Sequence, residues 1–315
     1  MPVADQSPGL RDPALRQALT IVLVRLTGSR ELPNTPPAQA ILSRATSLVQ
    51  GYGYEAVETG SGLLLHAQFD PRAVQAALRS QGLPLWGENR LSHLVWLALR
   101  DDGSPRAVLD ANAVAARAQA MAKAADFRGL VFVYPKVDAQ DRNRVTFDDA
   151  WMAQQDKMLA ASQRYNPDQV LVGRVGRENN QWVGRWTLLG SGGANEDWTV
   201  VHASLDEVLD DGVNQLADRE AQRFAVAAGL SAQDLLLQVA GVESLKDYGR
   251  TLNYLRGLNP VRSAQVVSVQ NGAVVFRLSM DGTPDSLARV IAAGRVLKPE
   301  SQGLFSSTMN YSLVR

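Results

Sequence analysis

The fold is easiest to read in residues 261–294, whose sequence is VRSAQVVSVQNGAVVFRLSMDGTPDSLARVIAAG. From Val274 to Met280 apolar and polar side chains alternate, and this period of two predicts a strand with one buried face. Residues 261–269 predict a preceding strand, and Asn271-Gly272 tolerates the positive φ that a tight hairpin requires. We therefore expect two antiparallel strands here.

The flanking residues extend this hairpin into a larger module. Thr283-Pro284 and Gly294 are typical of the start and end of a helix. Residues 235–242 predict a strand, and a helix begins at Ser244. With a closing strand in 295–297 or 305–313, the order is the βαββαβ of a ferredoxin-like fold, which we place at residues 230–315.

Two further modules precede it, and the fold class is a mixture of α/β and α+β. Residues 1–90 predict an N-terminal α+β module. Residues 91–229 predict a central α/β domain with a mixed sheet of βαβ type. Its strands are expected at 94–99, 130–134, 169–175, 182–189 and 198–203, and its helices at 113–125, 149–165 and 205–228. A turn at 190–193 is expected to join the last two strands.

Composition excludes several functional classes. Lys and Arg total 32, as do Asp and Glu, so the net charge is zero and the basic excess of a nucleic-acid-binding protein is missing. The strands also lack the aromatic run of RNA-binding ferredoxin-like sheets, so RNA binding is disfavoured. The chain has no cysteine, which excludes thiol catalysis and disulfides.

No membrane span is expected, because the best apolar run, residues 19–26, contains Arg25 and is too short to cross a bilayer. The first residues, Met1-Pro2-Val3, do not have the charged and apolar regions of a signal peptide.

Several segments resemble a Gram-negative family called domain of unknown function 2066: residues 3–7, 22–28, 84–98 and 167–174. In residues 84–98 a Pro/Gly turn leads into an apolar strand, with Trp86 and Trp96 on either side, although Leu91 stands where the family pattern has proline. The resemblance implies a periplasmic protein whose signal peptide is removed, and it supplies no catalytic residues. We expect both tryptophans to be mostly buried.

The middle region is also similar in pattern to periplasmic α/β domains of envelope machinery. These are the curli-secretion channel subunit, the flagellar T-ring protein and the N-terminal domain of the Tol-system propeller protein. Such domains act by contact with other proteins, so the similarity implies an envelope protein or peptidoglycan as partner. The expected function is a non-catalytic interaction protein of the periplasm.

Four residues are candidates for a binding site. Trp182 and Trp186 share a strand face with Gly184 between them, and two indoles so placed form a platform for a sugar or peptide. Trp198, on the expected sheet edge at 198–202, and Arg185 complete the candidate set. The alternative, which we favour, is that the indoles pack under a helix.

The remaining polar groups predict no metal, cofactor or catalytic site. His66, His93 and His202 have no metal-ligand spacing. The polar loop 136–146 lacks the glycine and glutamate of a calcium loop and is expected to be mobile. The glycines at 173–176 precede a strand, where no helix N-terminus meets a phosphate.

The alternative function, a hydrolase using carboxylates, would depend on pairs such as Asp148-Asp149 and Asp210-Asp211, whose adjacent side chains diverge on a helix.

Overall fold

The computed structural model describes residues 1–57, 62–87, 90–189, 195–227, 233–270, 272–300 and 308–314. It divides into two compact units: unit 1 is Met1–Asn89 with Glu220–Arg315, and unit 2 is Arg90–Arg219. The expected N-terminal and C-terminal modules thus fall in the same unit, each with its own apolar core. Independent folding of three modules stays a prediction.

The N-terminal part of unit 1 packs helices on a small sheet with the strand order β1-β3-β2. Its elements are β1 (Pro2–Val3), α1 (Pro8–Thr27), α2 (Pro36–Leu42), α3 (Ala45–Leu48), β2 (Val49–Ala56), β3 (Leu63–Phe69), α4 (Pro71–Ser80) and β4 (Pro84–Leu85). Helix α1 ends at Gly28, whose φ is 71°, and a Cβ there would overlap Ala221 and the ring of Trp86. Glycine is therefore required on both conformational and steric grounds.

Unit 2 is built on a mixed sheet, with helices on its faces. Its elements are β5 (Ser92–Asp101), β6 (Ser104–Leu109), α5 (Ala111–Arg117), α6 (Gln119–Arg128), β7 (Val131–Val133), α7 (Ala139–Arg142), α8 (Phe147–Trp151), α9 (Gln155–Ser162), β8 (Gln169–Glu178), β9 (Gln181–Leu189), β10 (Glu196–His202) and α10 (Leu205–Phe224), whose last residues belong to unit 1. The strand order is β10-β9-β8-β5-β6, with β7 also pairing β5. Strand β5 is parallel to β7 and β8 and antiparallel to β6, so the sheet is mixed as predicted.

The structure corrects three details of the central prediction. The helix expected at 113–125 is two helices, α5 and α6, separated at the buried Ala118, and that expected at 149–165 is α8 and α9. Strand β6 was not predicted, although Asp102-Gly103 before it is a hairpin signal. The predicted turn at 190–193 and the end of the helix at 228 lie outside the described residues.

The C-terminal part of unit 1 is a ferredoxin-like sheet with one extra strand. Its elements are β11 (Val226–Ala227), which pairs β4, then β12 (Gln233–Ala240), α11 (Leu245–Gly257), β13 (Val261–Gln270), β14 (Ala273–Met280), α12 (Pro284–Ala293), β15 (Leu297–Pro299) and β16 (Thr308–Leu313). The order is β13-β14-β12-β16-β15. The closing strand was expected in 295–297 or in 305–313, and each of these segments contributes to a strand, β15 and β16. Strand β16 runs parallel to β12, whereas the simple βαββαβ fold has an antiparallel strand at that position.

Local signals in this part agree with the structure. Capping boxes begin α11 at Ser244 and α12 at Thr283. Gly272 has a φ of 74°, whereas its predicted partner in the turn, Asn271, lies outside the described residues. Phe276 is fully buried in the core beneath the helices. The alternation from Val274 to Met280 thus predicted the correct inward face.

The burial predicted for the two tryptophans of the 84–98 segment is confirmed. Trp86 is 3% exposed and packs against Gly28 in unit 1. Trp96 is 1% exposed, and its Nε1 donates to the Ser162 Oγ at 2.9 Å in unit 2. Within the described ranges, every helix is too short or too polar to cross a bilayer.

Candidate functional site

The three candidate tryptophans lie in the core of unit 2. Trp182, Trp186 and Trp198 are 9%, 0% and 6% exposed. Trp186 pairs across the strands with Trp198, and the two rings stack with centroids 6.3 Å apart. Helix α10 covers them at Gly212, whose carbonyl accepts from Trp198 Nε1 at 3.1 Å. This is the packing alternative, so we assign these indoles no direct contact with a ligand.

The fourth candidate, Arg185, lies on the opposite face of the sheet. It neighbours Trp186 on β9, and successive strand residues point to opposite faces. Its guanidinium makes a bidentate ion pair with Glu178, with nitrogen–oxygen distances of 2.6 and 2.8 Å. The structure thus brings the tryptophans together but separates Arg185 from them.

The polar loop 136–146 is held by a network of charged groups rather than left open for a cation. Arg164 donates to Asp138 and Asp141 at 2.8 and 2.9 Å. Asp141, 1% exposed, also accepts from Tyr165 Oη at 2.5 Å and from the Val137 amide at 2.9 Å. Because Arg164 binds its carboxylate, the pKa of Asp138 lies well below its usual value. The loop was expected to be mobile, and this network was not predicted. Its members are too far apart in sequence to form a recognisable motif.

The histidines occupy structural positions. His93 lies inside β5 and is 1% exposed, and burial lowers its pKa to about 4. The adjacent Ser92 donates its hydroxyl to Asp168 at 2.6 Å, but neighbouring strand residues face opposite sides of a sheet, so no Ser-His-Asp triad forms. His66 and His202 contact single carboxylates, Glu55 and Asp211.

The paired carboxylates also have structural contacts. Asp149 completes the capping box of α8 with Thr146 and accepts from Lys157 Nζ at 2.6 Å, and this ammonium lowers the pKa of Asp149 to about 2. Asp148 contacts Arg106 at 3.3 Å. In α10, Asp210 accepts from the Asn214 side-chain amide. Among the described residues, no group of three or more acidic or histidine side chains is placed to hold a metal ion.

Unit 1 contains a cleft that the sequence did not predict, which we call the arginine cleft. Its volume is about 830 Å³, and helix α4, the end of α11 and the first half of β13 form its walls. The lining residues are Arg72, Gln75, Arg79, Ser80, Arg256, Val261, Arg262, Ser263, Ala264 and Gln265. Four of these side chains are cationic and none is acidic. A pocket of about 210 Å³ beside it shares Gln75, Arg79, Arg256 and Val261.

A buried carboxylate orders two of the four arginines. Asp281 is 3% exposed, and its carboxylate accepts from Arg262 Nε at 2.8 Å. It also lies 3.5 Å from Arg79 Nε. One carboxylate therefore faces two guanidinium groups, which leaves their positive charge only partly balanced.

One wall of the arginine cleft is an edge strand. Strand β13 has ten residues and pairs only with β14, so its other side has no neighbour in the described sheet. Val266, Val267 and Val269 are 38%, 48% and 63% exposed. Two bulges, between Val261 and Ser263 and between Val266 and Ser268, interrupt the pairing with β14. Such bulges disfavour unspecific edge-to-edge pairing, whereas the length of this edge and its exposed apolar residues favour the addition of one specific strand.

Parts of the chain are similar to known proteins. The family model described as Domain of unknown function (DUF8605) matches residues 1–87. No curated protein matches the chain. The LpoB C-terminal domain from Salmonella enterica is similar at 17% identity, over 40% of this chain and 90% of that domain, with a TM-score of 0.24. A score this low carries no argument about function.

Residues 1–87 are thus similar to a family that has no assigned function. The resemblances to domain of unknown function 2066 and to envelope machinery are not tested by these matches and stay predictions.

Proposed function

We propose that the protein is a non-catalytic interaction protein of the cell envelope, which binds an extended segment of a partner protein along β13. The open edge of β13, with its exposed valines, is the observation that carries this proposal. Strand addition supplies main-chain hydrogen bonds for affinity, and side-chain pockets beside the edge supply specificity. The arginine cleft is such a pocket, because residues 261–265 of β13 line it.

The envelope location depends on the sequence resemblance alone. Fractionation of the native host tests it separately: the protein should appear with periplasmic markers after osmotic release. Recovery with cytoplasmic markers would reject the location without affecting the mode of binding.

Strand addition is tested with peptides selected from a random eight-residue display library against the full chain. A bound peptide should slow hydrogen exchange of β13 amides and leave β10 amides unchanged, because a new strand covers only the edge that it pairs with. Peptides that protect no β13 amide would contradict the proposal.

Substitutions provide the matched control for this experiment. Val267→Lys and Val269→Lys place charge on the edge and should weaken peptide binding about tenfold or more. Val201→Lys makes the same change on the edge strand β10, where Val201 is 47% exposed, and should leave affinity unchanged. Equal affinity of the β13 variants and wild type would reject β13 as the site.

A further inference from the structure

We infer that the segment bound at β13 is acidic and that Arg72 and Arg256 bind its carboxylates, an inference that rests on the proposed function. The charge of the arginine cleft is local, since the whole chain has a net charge of zero. Four arginines, with no acidic side chain among the described residues that line the cleft, create a positive potential that favours an anionic partner.

Arg72 and Arg256 are the arginines available to a ligand. Both are exposed, and neither side chain forms an ion pair or hydrogen bond with any residue that the structure describes. Arg79 and Arg262 are instead held by Asp281. The nearby Asp70 is engaged as the cap of α4, where its carboxylate accepts from the backbone amides of Arg72 and Ala73.

The position of Arg72 in α4 also bears on the charge of the ligand. It lies in the first turn of α4, where the partial positive charge of the helix disfavours a cation and favours an anion. The amides of that turn already have the Asp70 carboxylate as their acceptor, so an incoming carboxylate would be stabilised by the Arg72 guanidinium rather than by the helix end.

The cleft favours carboxylates of an extended chain over a free anion, because a β-strand forms one of its walls. A partner segment that pairs along β13 would direct every second one of its side chains toward the cleft. Arg256, in the last turn of α11, and Arg72, on α4, approach that strand from different elements. One extended segment can thus pair with the strand and contact both arginines.

The experiment uses the full chain and three fluorescent eight-residue probes that alternate threonine with glutamate, glutamine or lysine. The glutamate probe should bind about tenfold or more tightly than the glutamine probe, and added salt should reduce this difference. The double substitution Arg72→Gln and Arg256→Gln should abolish the preference for the glutamate probe over the glutamine probe. Arg44→Gln, at an exposed arginine of the same unit outside the cleft, should have no effect.

Charge reversal makes the test specific. Arg72→Glu with Arg256→Glu should transfer the preference to the lysine probe, a change that loss of folding cannot produce. If the glutamate and glutamine probes bind equally and Val267→Lys weakens both, strand addition stands and the acidic preference is overturned.

Two other outcomes also overturn the inference. In one, the glutamate probe binds, β13 variants do not affect it, and inorganic phosphate displaces it, which identifies an anion site unrelated to strand addition. In the other, no probe binds at millimolar concentration while library-selected neutral peptides do.

Discussion

At the scale of single residues, close packing of glycine against tryptophan organises unit 2. Gly212 lies in the middle of α10, and a Cβ at that position would overlap the indole of Trp186. A helix-interior glycine normally costs stability, so its presence here reflects the close approach of helix and sheet. In the sequence, this glycine inside a long helix was the available signal that the strand tryptophans lie beneath it.

Two helix glycines should therefore respond oppositely to alanine. Gly212→Ala should lower the free energy of unfolding by about 1–3 kcal/mol, because the core is overpacked. Gly249→Ala in α11, where a Cβ meets no atom within 4 Å, should raise it by about 0.5–1 kcal/mol. Urea unfolding measures both, and stabilisation by Gly212→Ala would contradict the packing described.

The ion pair between Asp149 and Lys157 should contribute to the pH dependence of stability. The pKa of Asp149 is lowered from 3.8 to about 2 in the folded chain. The carboxylate therefore contributes stability that is fully present above about pH 4 and lost as the pH falls toward 2. Lys157→Gln should be less stable than wild type at pH 6, and the two should converge near pH 2. Lys123→Gln, at an exposed lysine, is the control and should be as stable as wild type at both pH values. If Lys157→Gln were still less stable than wild type at pH 2, the result would count against the ion pair.

At the scale of elements, regular patterns predicted most helices and strands, while tertiary contacts determined the exceptions. The alternation at 274–280 and the caps at Ser244 and Thr283 are local signals, and the structure agrees with them. No residue type in the alanine-rich run marks the break at Ala118, which is fully buried. The arginine cleft was not predictable, because α4 is distant in sequence from α11 and β13 and meets them only in the folded unit.

The network around the 136–146 loop gives a prediction for that element. Arg164→Ala should accelerate hydrogen exchange at the Val137 and Asp141 amides about tenfold or more, because their acceptors Asp141 and Asp138 lose the cation that orients them. Arg144→Ala, an exposed arginine in the same loop, should leave both rates unchanged. Unaltered exchange in the Arg164 variant would show that the loop is ordered by other contacts.

At the scale of the whole molecule, the fold class was predictable and the grouping of modules was not. The mixture of α/β and α+β is confirmed by the mixed sheet of unit 2 and the ferredoxin-like sheet of unit 1. Contacts between residues distant in sequence place the first and last modules together in unit 1. Composition and spacing report on neighbours along the chain, so they carry no information about such a grouping.

The C-terminal module should fold when it is expressed alone as residues 233–315. Its core is formed within these residues, and Phe276 is fully buried there. We expect a cooperative thermal transition, and Phe276→Ala should reduce stability by about 3–5 kcal/mol. Arg277→Ala on the exposed face should change stability by less than about 0.5 kcal/mol. A gradual melt with poorly dispersed amide signals would disprove autonomous folding.

The pairing of β4 with β11 has a consequence for synthesis on the ribosome. Leu85 pairs with Val226, and Trp86 packs near Ala221, so both partners emerge only after all of unit 2 has been translated. At ordinary translation rates this delay is on the order of ten seconds. During that interval the nascent N-terminal region exposes the indole of Trp86 and an unpaired strand. Transiently exposed apolar surface and unpaired strand edges promote aggregation, so we expect this region to be the most aggregation-prone until the C-terminal third of the chain is synthesised.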